Sequence, residues 1–360
     1  MNHFTKKLTA TLLLSFSALA CFADGEFVIN NLRFRISDNN TATFCGCVAA
    51  SSPEYLPTTA ADIEIPSEVI RNGKKYPVTH ISNYSFEYGR GGRWIESVKL
   101  PETITDIALC AFEYCRQLKS LTIPNSVTSL GYKAFNGCTS LREVTIGEGL
   151  TDIGYSLFED CDALECVYYN ATNADYNKFG ANINNGHPFL NPFGGNCVKK
   201  IVIGDNVTNL PYTFLRNITS LESLTLGSGI PDYAYSVILG YYESFWNDLS
   251  NMNLKELICT SFEPHQVSHY SSMSLDMMER LTAIPLYVPA GSIEAYKNHP
   301  FWGRFISIQE SSSSGIPVVT GNQTNQVRWF DINGIPLSDI PDRGIYIQTD
   351  GQTSKVMYAR

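Results

Sequence analysis

The sequence predicts a repeat solenoid with one short strand per coil, closed by a small all-β tail. Three observations predict it. Leu118, Leu141 and Leu164 recur at intervals of 23 residues, as do Phe112, Phe135 and Phe158, and Cys115, Cys138 and Cys161. Each unit carries an apolar-x-apolar triplet, "VKL" at 98, "LTI" at 121 and "VTI" at 144. Beyond residue 315, apolar and polar residues alternate around "NG" and "DG" turns, the signature of hairpins. A period in the twenties implies stacking, because one such unit cannot bury its own apolar face and neighbouring coils must close the core.

The elements follow in chain order. "MNHFTKKLTATLLLSFSALACFADGEF" sets Lys6 and Lys7 before an apolar run and small residues, the pattern of a secretory signal peptide over 1–23. Its apolar run is shorter than the roughly 20 residues of a membrane span, and no later segment reaches that length. A rival reading makes Cys21 the lipidated first residue, although "ALA" before it lacks the usual Leu three positions upstream. On either reading the chain is expected to be exported, secreted or held at the cell surface. Residues 24–62 are expected to form an N-terminal β cap, and the solenoid to span 63–310.

Within a regular unit the triplet is followed by a turn, "PET", "PNS" or "GEG". A second apolar pair comes next, Ile104/Ile107, Val127/Leu130 or Leu150/Ile153, and then "AF" or "LF". This reads as a strand plus a short helical or irregular segment. Onward, Val167, Ile201, Leu224, Leu257 and Leu286 occupy the strand position, and upstream "IEIP" at 63 opens an earlier unit. The wider gaps between some of them mark insertions, and residues 231–284 fit the repeat poorly. The architecture is a solenoid of the leucine-rich-repeat type.

"LKSLTIPNSVTSLGYKAFNGCTSLREVTIG" resembles the BspA-like leucine-rich repeats of bacterial surface proteins of the Bacteroidota type. The resemblance extends over about residues 60 to 310. It takes in the entry unit "IEIPSEVIRNGKKYPVTHISNYSF" and the closing unit "LYVPAGSIEAYKNHPFW", where Trp302 is a candidate end cap. It implies adhesion-like roles for some relatives, and a solenoid, which spends its repeats on surface, is not expected to be an enzyme. "SSSSG" at 311–315 is a flexible linker by composition. The module at 316–360 resembles the short β-tails of exported Bacteroidota proteins, which act as sorting signals in some relatives; sorting and capping of the solenoid end are the two roles open to it.

Composition narrows the partners. Hydrophobic residues make up 44% and charged residues 17%, enough to build a sizeable core. The net charge of -9 argues against nucleic acid and anionic lipid, both of which demand a basic surface. Of ten cysteines, the Cys115, Cys138 and Cys161 column would run parallel, which is poor disulfide geometry, so a buried thiol ladder is expected. Cys45 and Cys47 would share one strand face, and Cys166 and Cys197, which flank an insertion, are the pair placed to bridge.

The search for chemistry yields little. Glu263, His265 and His269 in "EPHQVSH" lack a further ligand and read as a polar loop, so no metal or other cofactor is expected. "YGRGGRW" at 88–94 has no phosphate-loop spacing, and there is no G-x-S-x-G elbow. Binding remains. The middle residue of each strand must point outward, which gives Lys99, Thr122, Thr145, Tyr168, Val202, Thr225, Ile258 and Tyr287 as one column. Lys99, Tyr168 and Tyr287 are its candidate contacts for a protein or host-matrix component. A second candidate surface is the aromatic insertion with Tyr241, Tyr242 and Trp246, which could stack on a glycan. A passive role in the cell envelope is the third reading.

Overall fold

Phe27, Phe34, Phe44, Phe86, Phe112, Phe135 and Phe158 pack ring on ring. Their centroid separations are 6.1, 5.7, 5.1, 4.8, 5.3 and 5.4 Å in that order. The row of rings begins four aromatic residues before the three that repeat at 23, so the cap and the coils share one spine. Within the coils the rings lie nearly parallel, 14° and 9° apart, because identical backbones stack in translation.

The computed structural model describes residues 25–47, 61–86, 92–154, 156–174, 197–210, 214–215, 218–232, 253–267 and 275–311. It also describes the backbone of four strands between 328 and 359. The chain forms two compact units, Met1–Ser312 and Ser313–Arg360.

In the first unit the cap strands β1 (Glu26–Ile29), β2 (Leu32–Ile36) and β3 (Ala42–Cys47) form an antiparallel meander. β4 (Ala61–Glu64) opens the coils. The hairpin of β5 (Glu68–Arg71) and β6 (Lys74–Ile81) follows it, and β6 runs parallel to β3. β7 (Ile95–Lys99) pairs with β4 in parallel, aligning Ile63 with Val98.

Each regular coil then contributes two strands. The short ones are β8 (Asp106–Ile107), β10 (Ser129–Leu130) and β12 (Asp152–Ile153), and they extend the cap's sheet in the order β1-β2-β3-β6-β8-β10-β12. The long ones, with the later coils, build a second, parallel sheet. Its members are β9 (Ser120–Ile123), β11 (Glu143–Ile146), β13 (Cys166–Tyr169), β14 (Lys200–Ile203), β15 (Ser223–Leu226), β16 (Glu256–Cys259), β17 (Leu286–Val288) and β18 (Ile308–Glu310). The register aligns Leu121, Val144, Val167, Ile201, Leu224, Leu257, Leu286 and Ile308. These are the expected strand positions plus one further coil at Ile308.

The segment expected as helical or irregular is a run of turns in the regular coils. Cys110, Lys133 and Ser156 sit there at φ 52°, 54° and 57°, and Tyr114, Gly137 and Asp160 at 58°, 70° and 57°. Two left-handed residues per coil forbid a continuous helix. Their period is again 23, so the bends stack as faithfully as the strands. Helices occur later: α1 (Leu275–Ala283), within the stretch that fits the repeat poorly, and α2 (Ile293–Asn298). Among the described residues no helix is long and apolar enough to cross a membrane.

At the far end Trp302 is fully buried against Tyr296, Phe301 and Phe305, and its indole N–H donates to the His265 carbonyl at 2.8 Å. His299 Nδ1 accepts from the backbone N–H groups of Phe301 and Trp302 at 3.2 and 3.4 Å, which holds that corner. The second unit is a four-stranded antiparallel sheet ordered β20-β19-β21-β22, from β19 (Arg328–Phe330), β20 (Pro336–Leu337), β21 (Gly344–Thr349) and β22 (Ser354–Ala359).

The cysteine expectations need two corrections. Cys45 and Cys47 do not share a plain strand face, because Gly46 takes φ 106° and the β2–β3 register shifts there, leaving Cys45 buried and Cys47 half-buried. Cys166 and Cys197 are both free, as are all nine described cysteines.

Candidate binding face

The outward side of the long parallel sheet is the surface that the repeats build. Alternation along each strand sends one apolar set inward, among them Val144, Ile146, Val167 and Tyr169, all buried. The residues between them face outward and align across coils as Thr122, Thr145, Tyr168, Val202, Thr225, Ile258, Tyr287 and Gln309. The column is not uniformly open. Val202 and Thr225 keep only 3% and 6% of their surface, whereas Tyr168, Ile258 and Tyr287 are half-exposed. A small residue between larger neighbours on a flat sheet is shielded by them, so the aromatic and Ile side chains stand proud of the floor.

Tyr168 is the most elaborated position. The Lys200 ammonium lies 5.9 Å from its ring centroid. Burial, with Glu143 and Cys166 beside it, raises its hydroxyl above the ordinary range, so it stays a neutral donor. Cys166, one outward position earlier on β13, is half-exposed, and burial raises its thiol. Lys99, offered by the sequence as a contact, is exposed but engaged: it pairs with Glu64 of the preceding coil at 2.8 Å.

Beside this face runs a column that the sequence reading missed. Glu96, Lys119, Arg142, Glu165, Lys199, Glu222 and Lys255 share one register position, two residues before the first inward apolar residue of each triplet, and from Lys119 onward each donates its backbone N–H to the carbonyl of the one before. Their side chains pair along the stack. Lys119 meets Glu96 at 2.9 Å, Lys199 meets Glu165 at 3.1 Å, and Lys255 meets Glu222 at 2.8 Å. Lys255 holds the Glu222 carboxyl below its ordinary value, and Glu165 raises Lys199. A charge recurring two positions before each apolar triplet was the available signal. A second missed ladder joins the short-strand coils: Thr128 and Thr151 hydroxyls each donate to the carbonyl of the threonine one coil earlier, Thr105 and Thr128, at 3.1 Å.

The repeated cysteines and phenylalanines lie in the core. Cys115, Cys138 and Cys161 are buried, and the last two donate to the Phe112 and Phe135 carbonyls at 3.3 Å. His265 Nδ1 lies 3.1 Å from Asp232 and Nε2 lies 3.0 Å from the Ser228 carbonyl, a local polar tie at that loop. His269, Tyr241, Tyr242, Trp246 and Cys21 lie outside the described residues.

Residues 63–184 match the family model of the BspA type leucine rich repeat region, in six copies. Over this third of the chain the coils are similar to the BspA type. Similar solved structures are leucine-rich repeat proteins of bacteria. A leucine rich cell surface protein from Faecalibacterium prausnitzii is 20% identical, over 65% of this chain and 54% of that one, with a TM-score of 0.39. A leucine-rich repeat protein from Bacteroides ovatus is 19% identical, over 75% and 80%, with a TM-score of 0.31. The leucine rich repeat protein of T. pallidum is 16% identical, over 59% and 94%, with a TM-score of 0.35. The chain thus spans about half the length of the Faecalibacterium protein. None of the curated proteins matches it. The BspA-type match takes in the β5–β6 hairpin, the regular coils and β13, and so includes the part of the outward face that carries Tyr168.

Proposed function

We propose that this protein is exported and acts by binding, holding another protein against the outward face of its long parallel sheet. The observation that carries this reading is the raised line of Tyr168, Ile258 and Tyr287 over a shielded floor of Val202 and Thr225. Aromatic side chains that stand on a rigid sheet lose little entropy on contact and make the anchors that dominate protein interfaces. The flanking charges support it, since ion pairs already closed within the solenoid leave a face with little net field. The signal-like N-terminus supports export, and the BspA-type coils agree with display rather than catalysis.

The test is a screen of residues 24–360 on parallel arrays of extracellular-matrix proteins and glycans. A protein hit weakened at least tenfold by Tyr168→Ala and by Tyr287→Ala, with melting temperature unchanged, is expected. A glycan hit indifferent to both substitutions would sink this reading.

A further inference from the structure

The charge column beside the outward face has one gap. Lys119, Lys199 and Lys255 each close on a glutamate of an adjacent coil, at 2.9, 3.1 and 2.8 Å. Arg142, between Lys119 and Glu165, has its backbone locked by the same stacking: its N–H donates to the Lys119 carbonyl and its carbonyl accepts from Glu165, both at 2.9 Å. Yet its guanidinium makes no ion pair among the described residues: its neighbour on one side, Lys119, is itself a cation, and Glu165 on the other is taken by Lys199. Arg142 is exposed. In a chain of net charge -9, the column therefore holds one guanidinium left over by its own pairing pattern.

The apolar anchor lies close by. Arg142 stands three residues before Thr145, and Thr145 pairs with Tyr168 on the next strand. At about 3.3 Å per residue and 4.8 Å between strands, the two sit roughly 11 Å apart, a span that residues three apart in an extended peptide cover. Glu143 and Lys200 face the same region from β11 and β14, opposite in sign, so the unbalanced charge remains that of Arg142.

We propose that Arg142 seats a single carboxylate of an extended polypeptide segment on the partner, whose neighbouring apolar side chain packs on Tyr168. The inference rests on the protein-binding reading of this face and adds the chemistry of its partner. A polyanion such as a uronate chain or nucleic acid needs a row of unpaired cations, and the neighbouring lysines of the column are closed. A guanidinium suits one carboxylate in a bidentate grip, and the Tyr168 ring suits the adjoining apolar residue.

The experiment pans a random 12-residue peptide phage library on residues 24–360, then measures affinities of the enriched peptides and of a uronic-acid oligosaccharide. Enriched peptides should carry an Asp or Glu about three residues from an aromatic or branched apolar residue. Their binding should fall at least tenfold with Arg142→Ala and with Tyr168→Ala, and by a smaller factor with Arg142→Lys, which keeps the charge but loses the bidentate fork. Circular dichroism should show each variant folded. Peptides lost with Tyr168→Ala but indifferent to Arg142→Ala would overturn the carboxylate seat and leave the binding face standing. Peptides indifferent to both, or no enrichment, would overturn the face itself. Arg142-dependent binding of the oligosaccharide would overturn the choice of a polypeptide.

Discussion

Cys138 has no exposed surface and gives its thiol proton to the Phe112 carbonyl, one coil back. Burial raises it well above its ordinary value of 9.0, and Cys161, held first by Cys138 and then by burial, is raised too. The small apolar thiol is what this column needs, since it fills the space and satisfies a turn carbonyl without a charge. The sign of the linkage is set by the unfolded chain. Its thiols ionise near pH 9 while the folded ones stay protonated, so the contribution is complete below pH 9 and declines as pH rises above it. Stability from urea melts should therefore drop between pH 8 and pH 10. Cys138→Ala should lose less over that interval than the parent, whatever its stability at pH 8. Equal losses would mean that the thiol column does not carry the effect.

The turn that returns each coil is set by its left-handed residues. Of the six periodic positions only Gly137 is free of a Cβ, and an added one would strike the ring of Tyr114. Asp160 occupies the same place one coil later at φ 57°, exposed to solvent, and bears the cost of that conformation. Asp160→Gly should stabilise by a few tenths to about 1 kcal/mol in chemical denaturation, and Gly137→Ala should destabilise by more than that. The reverse order would show that the bend is dictated by its neighbours and not by its own dihedrals. Where one coil meets the next the backbone leaves no room at all. A Cβ on Gly154 would lie 2.5 Å from the Gly131 carbonyl carbon, and one on Gly147 would lie 2.6 Å from that of Pro124. Gly147 follows the long strand β11 and Gly154 the short strand β12, so the coils are stacked this tightly at the ends of both.

In the first unit one core runs from Phe27 to Phe305 without a break, so the coils support each other mainly through their nearest neighbours. The two sheets end differently. The antiparallel meander continues the short-strand sheet at the N-terminal end, while β18 is the last strand of the long sheet among the described residues. Protection should follow that asymmetry. Hydrogen exchange followed by mass spectrometry should find the amides of β11, β13 and β14 slowest, with β18 exchanging well before β3. Equal protection at β18 and β13 would point to a cover over the last strand.

Much of this was legible from the chain. A 23-residue period in Leu, Phe and Cys dictates stacking, because each unit's apolar set is too small to be buried alone, and the spacing of Val167 to Leu286 places the later strands through their insertions. The outward column followed from alternation along a strand. The sequence could not show that the short segment after each strand is a left-handed bend, since that conformation is chosen by the closing geometry of the whole coil and is occupied by Cys, Lys, Ser, Tyr and Asp as well as Gly. Nor could it show that Phe27, Phe34 and Phe44 join the spine, because they lie outside the period. Which charges close and which stays open was likewise decided in three dimensions. Arg142 is one of four basic residues in that column of seven, and becomes singular only because stacking gives the neighbouring Glu165 to Lys199.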